Sequence, residues 1–138
     1  MRNDALLKLR RFEANERRQK VADIEMMIAD FRRMAEDLDH QIKVEQDASG
    51  VHDVNHFAYP TYAKAAITRR DNLRSSVAGL EAKLEEAKSQ LGEALEELKK
   101  SDLAEERSIG AGHNERGLPQ SPMAGKLDNV VGITRGGA

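Results

Sequence analysis

Two histidines near the middle of the chain have a spacing that occurs in metal sites. His52 and His56 are four residues apart with Asp53 between them, and on a helix this spacing would turn both imidazole rings toward one ion. The segment GVHDVNHF lies between two helical patterns, where helical spacing is not guaranteed, and no third strong ligand is evident. We therefore expect capping or surface roles for these histidines, and neither a metal nor a cofactor.

Motifs for catalysis are absent from the sequence. The chain contains no cysteine, which excludes a thiol nucleophile, disulfides and thiolate zinc sites. The glycines after residue 108 form neither a dinucleotide-binding motif, since Glu115 stands where its last glycine would be, nor a P-loop, since Leu127 follows Gly125 and Lys126. No serine lies in a nucleophile-elbow context. We expect no enzymatic activity and no catalytic residues.

Aromatic residues are few but clustered. The chain has five, and Phe57, Tyr59 and Tyr62 fall within one short segment. One interpretation is that they close the end of a helical hairpin where the helices separate. The other is a recognition patch, because exposed aromatic clusters are costly unless a partner covers them. Both interpretations hold if one ring is buried and another is exposed.

A basic cluster near the N-terminus is a second candidate for partner binding. It comprises Arg10, Arg11, Arg17 and Arg18, in a segment whose first twenty residues hold seven basic side chains and three acidic ones. Such a cluster suits phosphates, but residues 81–107 hold nine acidic side chains that compete for it, and no aromatic residues interleave with it. We expect contacts with protein partners and no binding of nucleic acid.

Apolar residues in the first half of the chain follow a heptad repeat. No proline or glycine occurs from residue 3 to residue 48, and the apolar positions step by three and four. These positions are Leu7, Ala14, Val21, Ile24, Ile28, Phe31, Ala35, Leu38 and Ile42. The pattern predicts a helix over 3–48 that winds round a partner helix. Met26, Met27 and Met34 flank this stripe; packing explains them most simply, although flexible methionines also suit surfaces that meet several partners.

A second heptad pattern predicts a helix over 60–107, with Pro60 at its first position. The connector 49–59 is short, so the two helices should lie antiparallel. This pairing sets Ile24 opposite Leu84 and Ile42 opposite Ala66, and it places the basic cluster beside the acidic stretch 93–106. The predicted fold class is all-α: residues 1–107 form a two-helix antiparallel coiled-coil hairpin.

Composition limits the remaining possibilities. Residues 108–138 hold seven of the ten glycines and two of the three prolines, which predicts a glycine-rich, disordered C-terminal tail. Charged residues make up 33% of the chain and aromatics 4%, too little bulky apolar material for a thick globular core. No apolar run approaches the roughly 18 residues of a membrane span, and the N-terminal segment is charged. We expect a cytoplasmic protein without direct membrane insertion.

Three stretches of the sequence resemble the FliJ family of flagellar export proteins, in the form found in alphaproteobacteria. They are DALLKLRRFEANERRQKVADIEMMIADFRRMAEDLD, the connector HFAYPTYAKAA, and RRDNLRSSVAGLEAKLEEAKSQLGEALEELKK. The resemblance covers residues 4–107, and the connector is its specific part because it carries no heptad repeat. After Arg107 the sequence departs from the family, whose second helix is expected to continue as a charged coiled coil.

The resemblance implies a soluble component of the flagellar type III export apparatus, associated peripherally with the flagellar base at the inner membrane. Its partners would be the export ATPase ring, the export gate protein and export chaperones. By position in the hairpin, Leu7 to Arg18 with Leu91 to Leu103 would engage the ATPase. The bend with Phe57, Tyr59 and Tyr62 would be the candidate surface for the gate.

A different class of function is also compatible with the residues. A helical hairpin can act as a chaperone-like or scaffolding protein that holds clients between its arms. Binding to the export ATPase distinguishes the export role from this alternative.

Overall fold

The structure, a computed structural model, describes residues 2–112. Two long helices account for most of them: α1 comprises Arg2–Ser49 and α2 comprises Thr61–Gly112. The residues between them, 50–60, form a turn-rich connector. The helices contact each other along their apolar stripes, which confirms the predicted all-α, antiparallel coiled-coil hairpin. Neither helix is long and apolar enough to cross a bilayer over the described residues.

The ends of the helices differ from the prediction at several points. Residue 60 was predicted to begin the second helix, but α2 begins at Thr61 and Pro60 accepts its first bond, from the Lys64 N–H at 3.1 Å. At the other end α2 reaches Gly112 instead of residue 107. The change in composition at Ser108 predicts the end of the helix there. A single glycine costs a helix only about 1 kcal/mol, however, and no proline occurs between Ser108 and Pro119. The predicted disorder of 113–138 falls outside the described residues.

The chain divides into two compact units, to which both helices contribute. The bend unit consists of Ala14–Glu93. The terminal unit consists of Met1–Glu13 with Ala94–Ala138, of which 2–13 and 94–112 are described.

The bend unit is held together by two apolar clusters along the seam. One contains the buried residues Ile24, Ile28, Val77 and Ala87, with Val21, Phe31, Leu80 and Leu84 packed against them. The other contains Leu38, Ile42 and Ala66, with Ile67 and Leu73 packed against them. Residues predicted to lie opposite each other share a cluster, so the register predicted for this unit is confirmed.

The seam of the terminal unit is more polar. Leu7 is buried there, but Asp102 is buried too, and an oxygen of Glu105 is buried with no hydrogen-bond partner among the described residues. Arg10 of α1 donates to Glu13 at 3.0 Å and lies 3.9 Å from Glu97 of α2. The contact between the helices is therefore less apolar in this unit than in the bend unit. Buried polar groups stabilise a fold less than apolar packing does unless they are paired.

A polar network replaces the apolar seam at Arg70. The Arg70 Nη1 donates to Asp39 Oδ1 at 2.8 Å, and the Arg74 Nη2 donates to Asp39 Oδ2 at 2.6 Å. The hydrogen bond that Arg70 donates to Asp39 raises the pKa of Arg70 above its ordinary value, against the opposing effect of burial. One carboxylate of α1 therefore joins two guanidinium groups of α2 and satisfies the cation that the sequence places in the seam.

A charge in the apolar seam should unfold the bend unit. Ile28→Asp places an unpaired carboxylate between the helices, and we expect a loss of several kcal/mol in the free energy of unfolding. Met26→Asp, at an exposed position of the same helix, is the matched control and should change it by less than about 0.5 kcal/mol. Urea unfolding followed by circular dichroism measures the free energy of unfolding of both variants. Equal losses would contradict the placement of Ile28 in the apolar seam.

Removing the shared carboxylate should also destabilise the hairpin. Asp39→Ala leaves Arg70, whose side chain is 21% exposed, without its interhelical partner, and we expect a loss of about 1 kcal/mol after allowance for solvent. Asp30→Ala removes only a pair with Arg33 on the same helix and serves as the control. Equal unfolding midpoints for the two variants would show that the network contributes nothing.

Candidate partner-binding surfaces

The connector is a hydrogen-bonded turn. Gly50 ends α1 with a positive φ of 74°, where a side chain would be strained, and its N–H donates to Gln46 O at 2.8 Å. Further along, the N–H of His56 donates to Asp53 O and the N–H of Tyr59 donates to His56 O, both at 3.0 Å. These bonds fix the direction in which the aromatic residues of the connector point.

Tyr59 is the ring that closes the end of the hairpin. It is 7% exposed, and its hydroxyl accepts a hydrogen bond from Gln46 Nε2 at 2.8 Å. Tyr59 therefore occupies the position expected from the first interpretation of the aromatic cluster, in which a ring closes the end of the hairpin. A role for this ring in direct recognition would require the connector to open.

Phe57 and Tyr62 lie on the outside. Phe57 is 95% exposed, and its ring stacks on His56 with centroids 4.7 Å apart. Tyr62, in the first turn of α2, is 53% exposed and donates its hydroxyl to Gln41 Oε1 at 2.5 Å. Both rings are exposed, as the recognition interpretation requires. A nearly fully exposed phenylalanine such as Phe57 contributes almost nothing to the stability of its own chain.

The histidines of the connector make local contacts. The Nδ1 of His56 accepts the Ala58 N–H at 3.0 Å, and the Nε2 of His52 lies 3.2 Å from Asp47 Oδ1. Within residues 2–112 no group of three or more histidine and acidic side chains has the arrangement of a metal site. The bond that His56 accepts from the Ala58 N–H is a contact of the capping kind that the sequence predicts.

The four arginines of the basic cluster have different surroundings. In the terminal unit Arg10 lies beside Glu97, as the register predicts, and Arg11 is exposed. In the bend unit Arg17 Nη1 donates to Gln90 Oε1 at 3.3 Å, and Arg18 Nη1 donates to Asn15 Oδ1 of its own helix at 3.0 Å. Of the four, only Arg10 is close to an acidic side chain of the stretch 93–106.

Exposed apolar residues in the terminal unit escaped the sequence analysis. Leu6, Leu9 and Phe12 are 41%, 48% and 60% exposed. The sequence contained a signal for this surface. Leu9 and Phe12 are apolar and three residues apart, and both lie off the heptad positions that face α2. Basic side chains of Lys8 and Arg11 lie among them on the helix, so this surface combines apolar area with positive charge.

The methionines beside the seam are only partly covered. Met26, Met27 and Met34 are 65%, 44% and 48% exposed. Packing within the hairpin therefore accounts for part of their surface and leaves the rest open to a partner.

The sequence matches no protein-family model, and neither a curated protein nor a solved structure is significantly similar to it.

The exposed ring of Phe57 and the buried ring of Tyr59 should respond differently to truncation. Tyr59→Ala removes a buried ring and leaves Gln46 unpaired, and we expect a loss of about 2–4 kcal/mol in the free energy of unfolding. Phe57→Ala should change it by less than about 0.5 kcal/mol, because the ring has few contacts to lose. Thermal unfolding of both variants tests this, and a large loss for Phe57→Ala would place that ring in the fold.

Proposed function

We propose that the chain is a non-enzymatic component of the flagellar type III export apparatus, a coiled-coil stalk or adaptor that couples the export ATPase ring to the export gate and meets export chaperones. In this role it works in the cytoplasm and associates peripherally with the flagellar base. It binds no nucleic acid and needs no cofactor.

The observation that supports this proposal most is the pairing of the start of α1 with the end of α2 in the terminal unit. Segments 2–13 and 94–112 belong to one compact unit, and Arg10 lies beside Glu97 within it. A stalk that enters a ring needs such a paired end with surface to offer. Leu9 and Phe12 supply apolar surface that nothing in the described part of the chain covers.

The bend offers the second contact that the role requires. Phe57 is held outward by the hydrogen bonds of the connector and by its stack on His56. An exposed ring on a fixed turn loses little conformational entropy when a partner buries it, which makes it a suitable anchor for the gate.

A chaperone-like or scaffolding role is the alternative. The exposed methionines Met26, Met27 and Met34 favour it, because flexible thioether side chains adapt to several apolar clients. Suppression of the aggregation of an unfolded client, without binding to the export ATPase, would support this role in place of the stalk.

Capture of the cognate export ATPase by the full-length chain tests the proposal. Leu9→Asp combined with Phe12→Asp should abolish capture, because it puts charges on the apolar surface of the terminal unit. Met26→Asp, an exposed position in the bend unit, should leave capture unchanged. Circular dichroism of all variants confirms that helix content is retained.

Deletion of the chain from its cell provides the second readout. We expect loss of motility and of export of flagellar proteins. Absent capture of the ATPase by the unaltered chain, together with normal motility after deletion, would overturn the proposal.

A further inference from the structure

The two sides of the seam in the bend unit differ in character. On one side, defined here as the ion-pair side, Arg32 bonds Glu81 across the helices and Asp39 bonds Arg74. Both pairs join α1 to α2 within the same chain. Glu36 lies on the same side and forms no ion pair among the described residues. The ion-pair side is therefore bridged between the helices by two ion pairs of one molecule.

On the opposite side, the equivalent positions of α1 hold Met27, Met34 and Gln41, which are apolar or neutral. Those of α2 alternate between the neutral Tyr62 and Ser76 and the basic Arg69 and Lys83. Between the helices runs a groove of about 560 Å³, whose lining includes Phe31, Met34, Leu38, Tyr62 and Leu73. We call this face, with Met27, the methionine side.

The width of the apolar stripe indicates how many helices it serves. A two-stranded coiled coil needs only the two seam positions of each heptad, whereas a helix in a bundle of three or four carries a third apolar position beside them. Met27 and Met34 occupy this third position on α1. The stripe of α1 is therefore wider than its pairing with α2 uses, and its exposed part lies on the methionine side.

Four charged residues on or beside the methionine side have no ion-pair partner in the described part of the chain. Asp37 and Arg69 both line the groove, and Asp23 and Lys83 lie two heptads farther from the bend on their respective helices. Among the described residues none of these four forms an ion pair. The acidic pair lies on α1 and the basic pair on α2, at matching levels because the helices are antiparallel.

This arrangement is complementary to itself. A two-fold axis parallel to the helices would set α1 of one copy against α2 of the other, antiparallel and at the same level. Asp37 of each copy would then face Arg69 of the other, and Asp23 would face Lys83. The methionines, Tyr62 and Phe31 would close an apolar core between the two hairpins.

We propose that the methionine side is a homodimer interface, through which two copies of the chain form an antiparallel four-helix bundle. The inference is independent of the export role. The interface lies wholly within the bend unit, while the apolar surface assigned to the ATPase lies in the terminal unit. Failure of one proposal therefore leaves the other standing.

Paired methionine variants test the apolar part of the interface. Met27→Asp with Met34→Asp should raise the dimer dissociation constant by about tenfold or more, measured by sedimentation equilibrium of the full-length chain. The matched control is Met26→Asp, on the neighbouring residue but off the methionine side, which should leave the constant unchanged. Circular dichroism establishes that each variant keeps its helices.

Reversed charges test the geometry. One variant carries Asp23→Lys with Asp37→Lys, and a second carries Arg69→Glu with Lys83→Glu. Each variant alone would set like charges against each other in both halves of the two-fold interface, so each should be monomeric. A mixture of the two should form a heterodimer, because lysines of one then face glutamates of the other, and the native bases face the native acids.

The outcomes decide the proposal in either direction. A dimer that depends on Met27 and Met34, with the two charge variants associating only with each other, supports it. A chain that stays monomeric at all soluble concentrations, leaving the face for a helix of another protein, overturns it. Dimerisation that survives both methionine substitutions, or homodimers of either charge variant, also overturns it, because the copies would then meet elsewhere.

Discussion

The close approach of two antiparallel helices along a narrow apolar seam is the constraint on which the rest of this protein depends. Small residues make the approach possible: five of the buried seam residues are alanines, Ala14, Ala35, Ala63, Ala66 and Ala87. Each contributes little buried area, so the seam stabilises the fold through its length and close packing rather than through a few large side chains. A fold of this kind leaves most of every helix facing outward, and its functions must be sought on those outward faces.

Polar groups decide how the helices are aligned and which side remains open. Asp39 bonds Arg70 and Arg74, so a slip of α2 along α1 would separate both guanidinium groups from this carboxylate. On the ion-pair side of the bend unit, Arg32 and Glu81 form a further bond between the helices. Since exposed ion pairs add little stability, their main effect here is on specificity: they bridge one side of the seam, while the four charged residues assigned to the methionine side form no ion pair among the described residues.

The connector closes the end of the hairpin and at the same time leaves one aromatic ring exposed. A glycine with positive φ ends α1, backbone bonds around Asp53 and His56 shape the turn, and Tyr59 fills the space between the helix ends. With the interior position taken by Tyr59, the neighbouring Phe57 has only the outside left to it. The exposure of Phe57 is thus a consequence of how the turn is closed, and it provides the surface at the bend that a partner can use.

The helices, their antiparallel pairing and the register of the bend unit were predictable from the residues alone, because heptad spacing follows from the pitch of a single helix and a short connector leaves one direction of return. The sequence also singled out the aromatic segment, but not which ring is buried, nor the helical continuation of α2 to Gly112. The packing of the two helices was needed to show that Phe57 is exposed, that Arg70 has a partner in Asp39 and that the methionines are only partly covered. The physical reason is that the exposure of a side chain depends on what the other helix places opposite it, and residues distant in sequence set that environment.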